Sequence, residues 1–198
     1  MYYILITIVY SIMMAAYIPF IKVYTAGADI NYIYPIFAIL ITVNGYFYSL
    51  KNPYGMLTIA AGMYRESRVQ ITIQASIQII ASIVGGLIWG LNGVIIGALL
   101  SNIYRDVDFI FFAPKHLIDY KFMDSLVMWI RSGILFAVLS IVLRFVPSES
   151  VTGYLSWFIY AVIIGLITVI VVLLVNFLFD RNRMKQCVIR IKAMIKRR

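Results

Sequence analysis

Residues 155–179 read LSWFIYAVIIGLITVIVVLLVNFLF, without one charged side chain. A helix of about 20 apolar residues crosses a hydrocarbon core of roughly 30 Å, so this stretch is long enough to span a bilayer. With no water to satisfy the backbone, such a segment must pair its own N–H and C=O groups, which makes it a helix. Working outward, four more stretches of the same kind appear: Tyr3–Ile21, Val69–Trp89, Val94–Phe112 and Ser125–Leu143. Another apolar run, from Tyr32 to Tyr64, is too long for one straight crossing and is interrupted at Asn52 and Pro53, so a kink is expected where proline removes a backbone donor. Hydrophobic residues make up 63% of the 198 positions and charged residues 13%, which excludes an ordinary water-soluble domain. The expectation is an all-α, polytopic transmembrane bundle of about six spans over residues 1–178, with a basic tail over 179–198. Short connections argue for antiparallel neighbours in one bundle.

The basic residues are distributed unevenly, and that sets the expected orientation. Arg65 and Arg68 lie in one connection, Lys115 and Lys121 in another, and eight further Lys and Arg residues in the tail. The alternate connections, 23–31, 90–93 and 147–153, contain no Lys or Arg. Lys22 and Arg144, at the other ends of their spans, are exceptions that do not reverse the bias. The positive-inside rule then predicts a multi-pass protein of the cytoplasmic membrane with both termini in the cytoplasm. Tyr24, Tyr32, Tyr34, Trp89, Tyr154 and Trp157 fall at the predicted outer boundary, where amphipathic rings favour the headgroup level. The net charge of +9 is on this reading a matter of topology rather than of nucleic-acid affinity.

In the tail, Met184, Cys187, Val188, Ile191, Met194 and Ile195 recur at helical spacing among basic residues, which predicts an amphipathic helix lying on anionic headgroups. Cys187 is the only cysteine, so the chain forms no internal disulfide. The first span lacks a basic leader and a small-residue cleavage site, so it reads as a span and not a removable signal. Its hydrophobic sequence begins at the initiator, and a fragment of a longer protein is expected. Enzyme signatures are scarce: His116 and Asp119 form only an HxxD in a loop, and Asp106 and Asp108 form a DxD inside a helix with no nucleotide domain around it. One His and one Cys make no metal cluster, and no glycine-rich phosphate loop is present, so neither cofactor nor metal is expected.

Polar groups inside spans are costly in lipid and face a neighbour or a wet cavity. Gln70, Gln74, Gln78 and Ser82 recur every four residues and form one stripe on the third span. Gly93, Gly97, Ser101 and Arg105 form another on the fourth, with Asn102 beside them; its upper half is a small-xxx-small face suited to close helix packing. Arg105 either pairs with Asp106 or Asp108 or stands as a charge in a lumen. Lys51 and Arg131 have no acidic residue three or four positions away; Arg131 reaches headgroups by snorkelling or, like Lys51, faces a cavity. Cations without a local partner on their own helix, around a polar stripe, suggest a path for an anionic, hydrogen-bonding substrate.

The segment IPFIKVYTAGADINYIYP (18–35) resembles the PFIxLYTxGxxDxxYxxP segment of polysaccharide flippases. The stretch NPYGMLTIAAGMYRESRVQITIQASIQIIASIVGGLIWGLNGVIIGALLSNIYRDVD (52–108) is similar to the same family's PYxxLIxAAGxYKxTR, a helix, and GIIGVxIGTLISNxYRxxD. These are exporters of lipid-linked oligosaccharides of the O-antigen, capsule and teichoic-acid type, in the superfamily that includes the MATE drug exporters and the lipid II flippase. The resemblance, over 19–117, implies a fold of about fourteen helices in two lobes around a central cavity, of which this chain would supply the last six. The remaining helices would come from missing N-terminal sequence or from a partner chain. Family members often carry Glu and Asn where this chain has Gln74 and Gln78, so coupling through that Glu does not transfer.

The function so implied is non-enzymatic: flipping an undecaprenyl-pyrophosphate-linked glycan to the outer leaflet for cell-surface polysaccharide synthesis. Pyrophosphate and sugars need a polar replacement for their hydration on the way. Lys51, Arg65, Arg68, Arg105 and Arg131 are the candidates for the pyrophosphate, and Gln70, Gln74 and Gln78 for sugar hydroxyls. The alternatives are a MATE-like small-molecule antiporter, which would favour acidic cavity residues, and a non-transporting membrane scaffold of a glycan-assembly complex.

Overall fold

The computed structural model describes residues 2–28, 32–116, 122–148 and 151–179. The expected tail helix, together with Asp29, Asp119, Lys121 and Glu149, lies outside the described residues. The described residues are helical apart from turns and connections, in the order α1 (Tyr2–Tyr24), α2 (Pro35–Leu50), α3 (Asn52–Ala60), α4 (Tyr64–Trp89), α5 (Leu91–His116), α6 (Phe122–Arg144) and α7 (Tyr154–Phe179). Four are long and apolar enough to cross a membrane: α1, α4, Leu126–Arg144 of α6, and α7. Of the other two expected spans, α2 has only 16 residues, and α5 carries Arg105, Asp106 and Asp108 in its second half.

The long run from Tyr32 to Tyr64 breaks at Lys51, between α2 and α3. Pro53 has no N–H to offer the carbonyl four residues earlier, and its ring crowds that carbonyl. That carbonyl belongs to Ser49, and it accepts the Tyr2 hydroxyl of α1 at 2.9 Å. The chain therefore breaks one residue before the Asn52–Pro53 pair, and Lys51 becomes the junction.

α1 is the hub. It packs on α2, α6 and α7, while α6 and α7, adjacent in sequence, touch only weakly. The expectation of antiparallel sequence neighbours thus describes α4 and α5, and α1 and α2, better than α6 and α7. The reason lies in side-chain size: Thr7, Ser11 and Ala16 are buried along α1, and such small residues let neighbouring backbones approach. α7 answers with Ile164, Thr168, Val172 and Asn176, buried at every fourth position. The Trp157 indole N–H of α7 donates to the Ala16 carbonyl at 3.2 Å.

Within this packing, three hydroxyls tie α1, α2 and α6 together. Ser132 Oγ lies 2.7 Å from Thr7 Oγ1 and 2.9 Å from Tyr46 Oη. Ser132→Ala removes the shared partner and leaves two buried hydroxyls to lose it, a destabilisation of about 1–3 kcal/mol. Thermal unfolding of the purified protein should show a lower midpoint, and an unchanged midpoint would mean that the hydroxyls do not hold the three helices.

α4 and α5 form a tight helical hairpin around Gly90, the single residue between them, at φ +59°. A left-handed φ at the reversal is open to glycine without a Cβ penalty. Ser82 Oγ donates to the Val94 carbonyl across the hairpin at 3.1 Å. α4 rests on α5 and only slightly on α3, so most of its apolar surface faces outward.

Candidate functional site

The candidate site forms where the α2–α3 junction, the start of α4 and the second half of α5 meet. A cleft of about 460 Å³ there is lined by Lys51, Asn52, Tyr64, Gln74 and Arg105, among others. Each arrives for a local reason. The Pro53 break turns Lys51 toward α5, the four-residue periodicity of α4 presents Gln74, and the same periodicity along α5 carries Arg105 below the glycines of the hairpin.

Both cations are buried and partnered. The Lys51 ammonium donates to Asn102 Oδ1 and lies 4.9 Å from the centroid of the Tyr48 ring. Asn102 in turn donates through Nδ2 to Asn44 Oδ1 on α2 at 2.9 Å, so an asparagine pair stitches α2 to α5 beside the lysine. An ammonium has three donors, and the Asn102 bond takes one. The Arg105 guanidinium pairs with Asp108 at 2.6 Å, one turn along α5. Its Cζ lies over the Phe109 ring, 4.1 Å from the centroid. The ring contact and the pairing through one nitrogen hold the guanidinium at the cleft wall, with N–H donors beyond the one that Asp108 takes.

Of the alternatives open for Arg105, the structure pairs it with Asp108 and not with Asp106. Asp106 is 2% exposed, and neither carboxylate oxygen has a hydrogen-bond partner. Adjacent positions on a helix point about 100° apart, so Asp106 and Arg105 face different neighbours.

The structure brings Lys51, Gln74 and Arg105 into one cleft and leaves the other sequence candidates outside its walls. Arg65 and Arg68 are exposed at the start of α4. Gln70 is half-buried, with a side-chain oxygen lacking a partner. Gln78 is exposed, and Arg131 is half-buried on α6. Asn44 and Tyr48, one turn apart on α2, were not singled out by sequence; their signal was the polar and aromatic interruption of an apolar helix just ahead of a proline break. The arrangement can hold an anion or a multiply hydroxylated group, since its polar walls are mainly donors and amides. Among the described residues no cluster of metal-ligating side chains occurs.

Compared with protein-family models, curated proteins and solved structures, the chain matches none.

Proposed function

We propose that this chain is part of a membrane transporter that flips a lipid-linked oligosaccharide, of the undecaprenyl-pyrophosphate-glycan type, across the cytoplasmic membrane. The observation that supports this best is the meeting of Lys51, Arg105 and Gln74 in one cleft beside α4, a helix long and apolar enough to span a membrane. A diphosphate needs cationic donors in place of water, and a glycan needs amides and hydroxyls; a wholly apolar bundle would supply neither. The wall is built by helices α3, α4 and α5 that the flippase resemblance covers, and the further helices of that fold would close the cavity on its open side. The positive-inside bias would put both termini in the cytoplasm with the basic end of the bundle facing inward, so the cleft would meet the substrate before it crosses.

The test is carried out in cells whose surface glycan depends on the protein, with surface glycan and membrane protein level measured together. Lys51→Gln removes a charge-assisted donor worth about 1.5–3 kcal/mol, so export should fall about tenfold or more. Lys51→Arg keeps the charge and should retain a larger share. Normal export by Lys51→Gln at normal abundance would refute the cationic cleft, and a loss of protein matching the loss of export would make Lys51 a structural residue of the bundle.

A further inference from the structure

We infer that the bundle has a second, chemically distinct site: a tyrosine-lined cleft at the opposite end that binds the sugars of a glycan by their faces and hydroxyls. The inference deepens the transport reading, and rests on it for where the sugar comes from; the chemistry of the site is legible from its walls alone.

The cleft has a volume of about 1010 Å³ and lies between the end of α1, the turn after it, the start of α2 and the first residues of α5. Tyr17, Tyr24, Tyr32, Tyr34, Phe37 and Asn92 line it, and among the described residues that line it none is charged. Along α2, Phe37 and Lys51 are separated by 14 positions, and at 1.5 Å per residue the two clefts stand roughly 20 Å apart along the bundle. One end of the same helical layer therefore carries buried cations, and the other is aromatic.

The wall composition decides between ligand classes. A phosphate requires cationic side chains or a cradle of backbone donors, and the lining provides no Lys or Arg. A quaternary ammonium fits an aromatic cage that closes tightly around it, whereas this cleft is at the upper end of the volumes of small-molecule sites. A pyranose presents an apolar face of C–H groups and an equator of hydroxyls. Aromatic faces take the first, and phenol hydroxyls and an asparagine amide take the second. Tyr24 is partly held for that role: its ring stacks on Phe20 at 5.8 Å, and Phe20 packs on Trp157 of α7 at 4.9 Å. A ring fixed in advance loses little side-chain entropy when a ligand lands on it. Tyrosines that only mark the headgroup level have no need of a concave wall; these share one.

Full-length protein in lipid nanodiscs is titrated with maltotriose and chitotriose, with tetramethylammonium and inorganic pyrophosphate in parallel, and binding is read by ligand-observed saturation-transfer NMR. At least one trisaccharide should bind saturably, and Tyr24→Ala/Tyr34→Ala should weaken it about tenfold. Both tyrosines are exposed, at 66% and 64%, so their truncation hollows no core. Tyr34→Phe should weaken binding less, since the ring remains. Gly133→Ala, where an added Cβ would have nothing within 4 Å, should bind the trisaccharide as the wild type does. Failure of both sugars to bind, binding of tetramethylammonium in their place, or saccharide binding indifferent to the tyrosine variants overturns the inference. Free trisaccharides carry neither pyrophosphate nor lipid, so such a failure leaves Lys51-dependent export standing. Trisaccharide binding alongside normal export by Lys51→Gln would instead sink the cationic cleft and keep this site.

Discussion

Gly93→Val is expected to prevent the α4–α5 hairpin from closing and to remove most folded protein from the membrane. A Cβ at Gly93 would meet the Gly85 backbone, with the Gly85 Cα 2.8 Å away. At Gly97, one turn further, a Cβ would lie 2.6 Å from the Ala81 carbonyl carbon and the Ser82 Cα. Overpacking against side chains costs about 1–3 kcal/mol, because side chains rotate out of the way. Here the obstruction is backbone, so the helices must separate, and the Ser82 to Val94 hydrogen bond goes with the contact. The loss should reach at least about 3 kcal/mol. Because α4 has almost no other support in the bundle, it should detach as a unit. Gly133→Ala is the control, since nothing lies within 4 Å of a Cβ placed there; it should be neutral or gain up to about 1 kcal/mol of helix propensity. Detergent-solubilised yield and thermal midpoint, measured for both variants, decide the matter. A Gly93→Val protein that melts like wild type would show that α4 does not lie on α5 in this way.

The second large effect is expected for Tyr46→Ala. Tyr46 is 1% exposed. Its ring stacks on Phe136 of α6 at 4.2 Å with the planes 9° apart, meets Tyr10 of α1 edge-on at 6.0 Å, and its hydroxyl reaches Ser132. In water-soluble cores, truncation of a large aromatic costs about 3–5 kcal/mol. Lipid lowers the transfer share of that figure, because the tails are as apolar as the core; the lost dispersion contacts and the broken hydrogen bond to Ser132 remain. A destabilisation of about 2 kcal/mol or more follows. Tyr46→Phe keeps the stack and loses only the hydroxyl, and should fall near Ser132→Ala. If the alanine and phenylalanine variants unfold at the same temperature, the stack contributes nothing and the hydroxyl alone matters.

Much of the helical layout was legible in the chain. The end of α4 at Trp89 was readable because lipid demands an uninterrupted apolar run and the turn at 90–93 interrupts it. Gly93 and Gly97 were readable as a packing face because spacing of four puts them on one side of a helix. The pairing of Lys51 was not. Its partner Asn102 is 51 positions away, and no local rule connects an ammonium on one helix to an amide on another. Arg105 shows the same limit within one helix, since i+1 and i+3 partners were both available and only the facing of the helix chose Asp108. The hub role of α1 was hidden for a related reason: Thr7, Ser11 and Ala16 are a modest interruption in a hydrophobic segment and become an interface only beside α6 and α7.

The one-dimensional part was thus legible in the chain: helices, because a backbone in hydrocarbon must pair with itself; their approximate ends, because polar and turn residues mark them; and the break ahead of Pro53, because proline lacks a donor. Which faces meet became visible in the packed bundle alone. It placed α1 between α6 and α7, gathered Lys51, Gln74 and Arg105 into one cleft while leaving Arg65, Arg68 and Gln78 exposed, and set a tyrosine-lined cleft at the far end. Helix association in lipid depends on the shape of small residues and on single hydrogen bonds across long sequence separations. Those are properties of pairs of surfaces, and no one helix carries them.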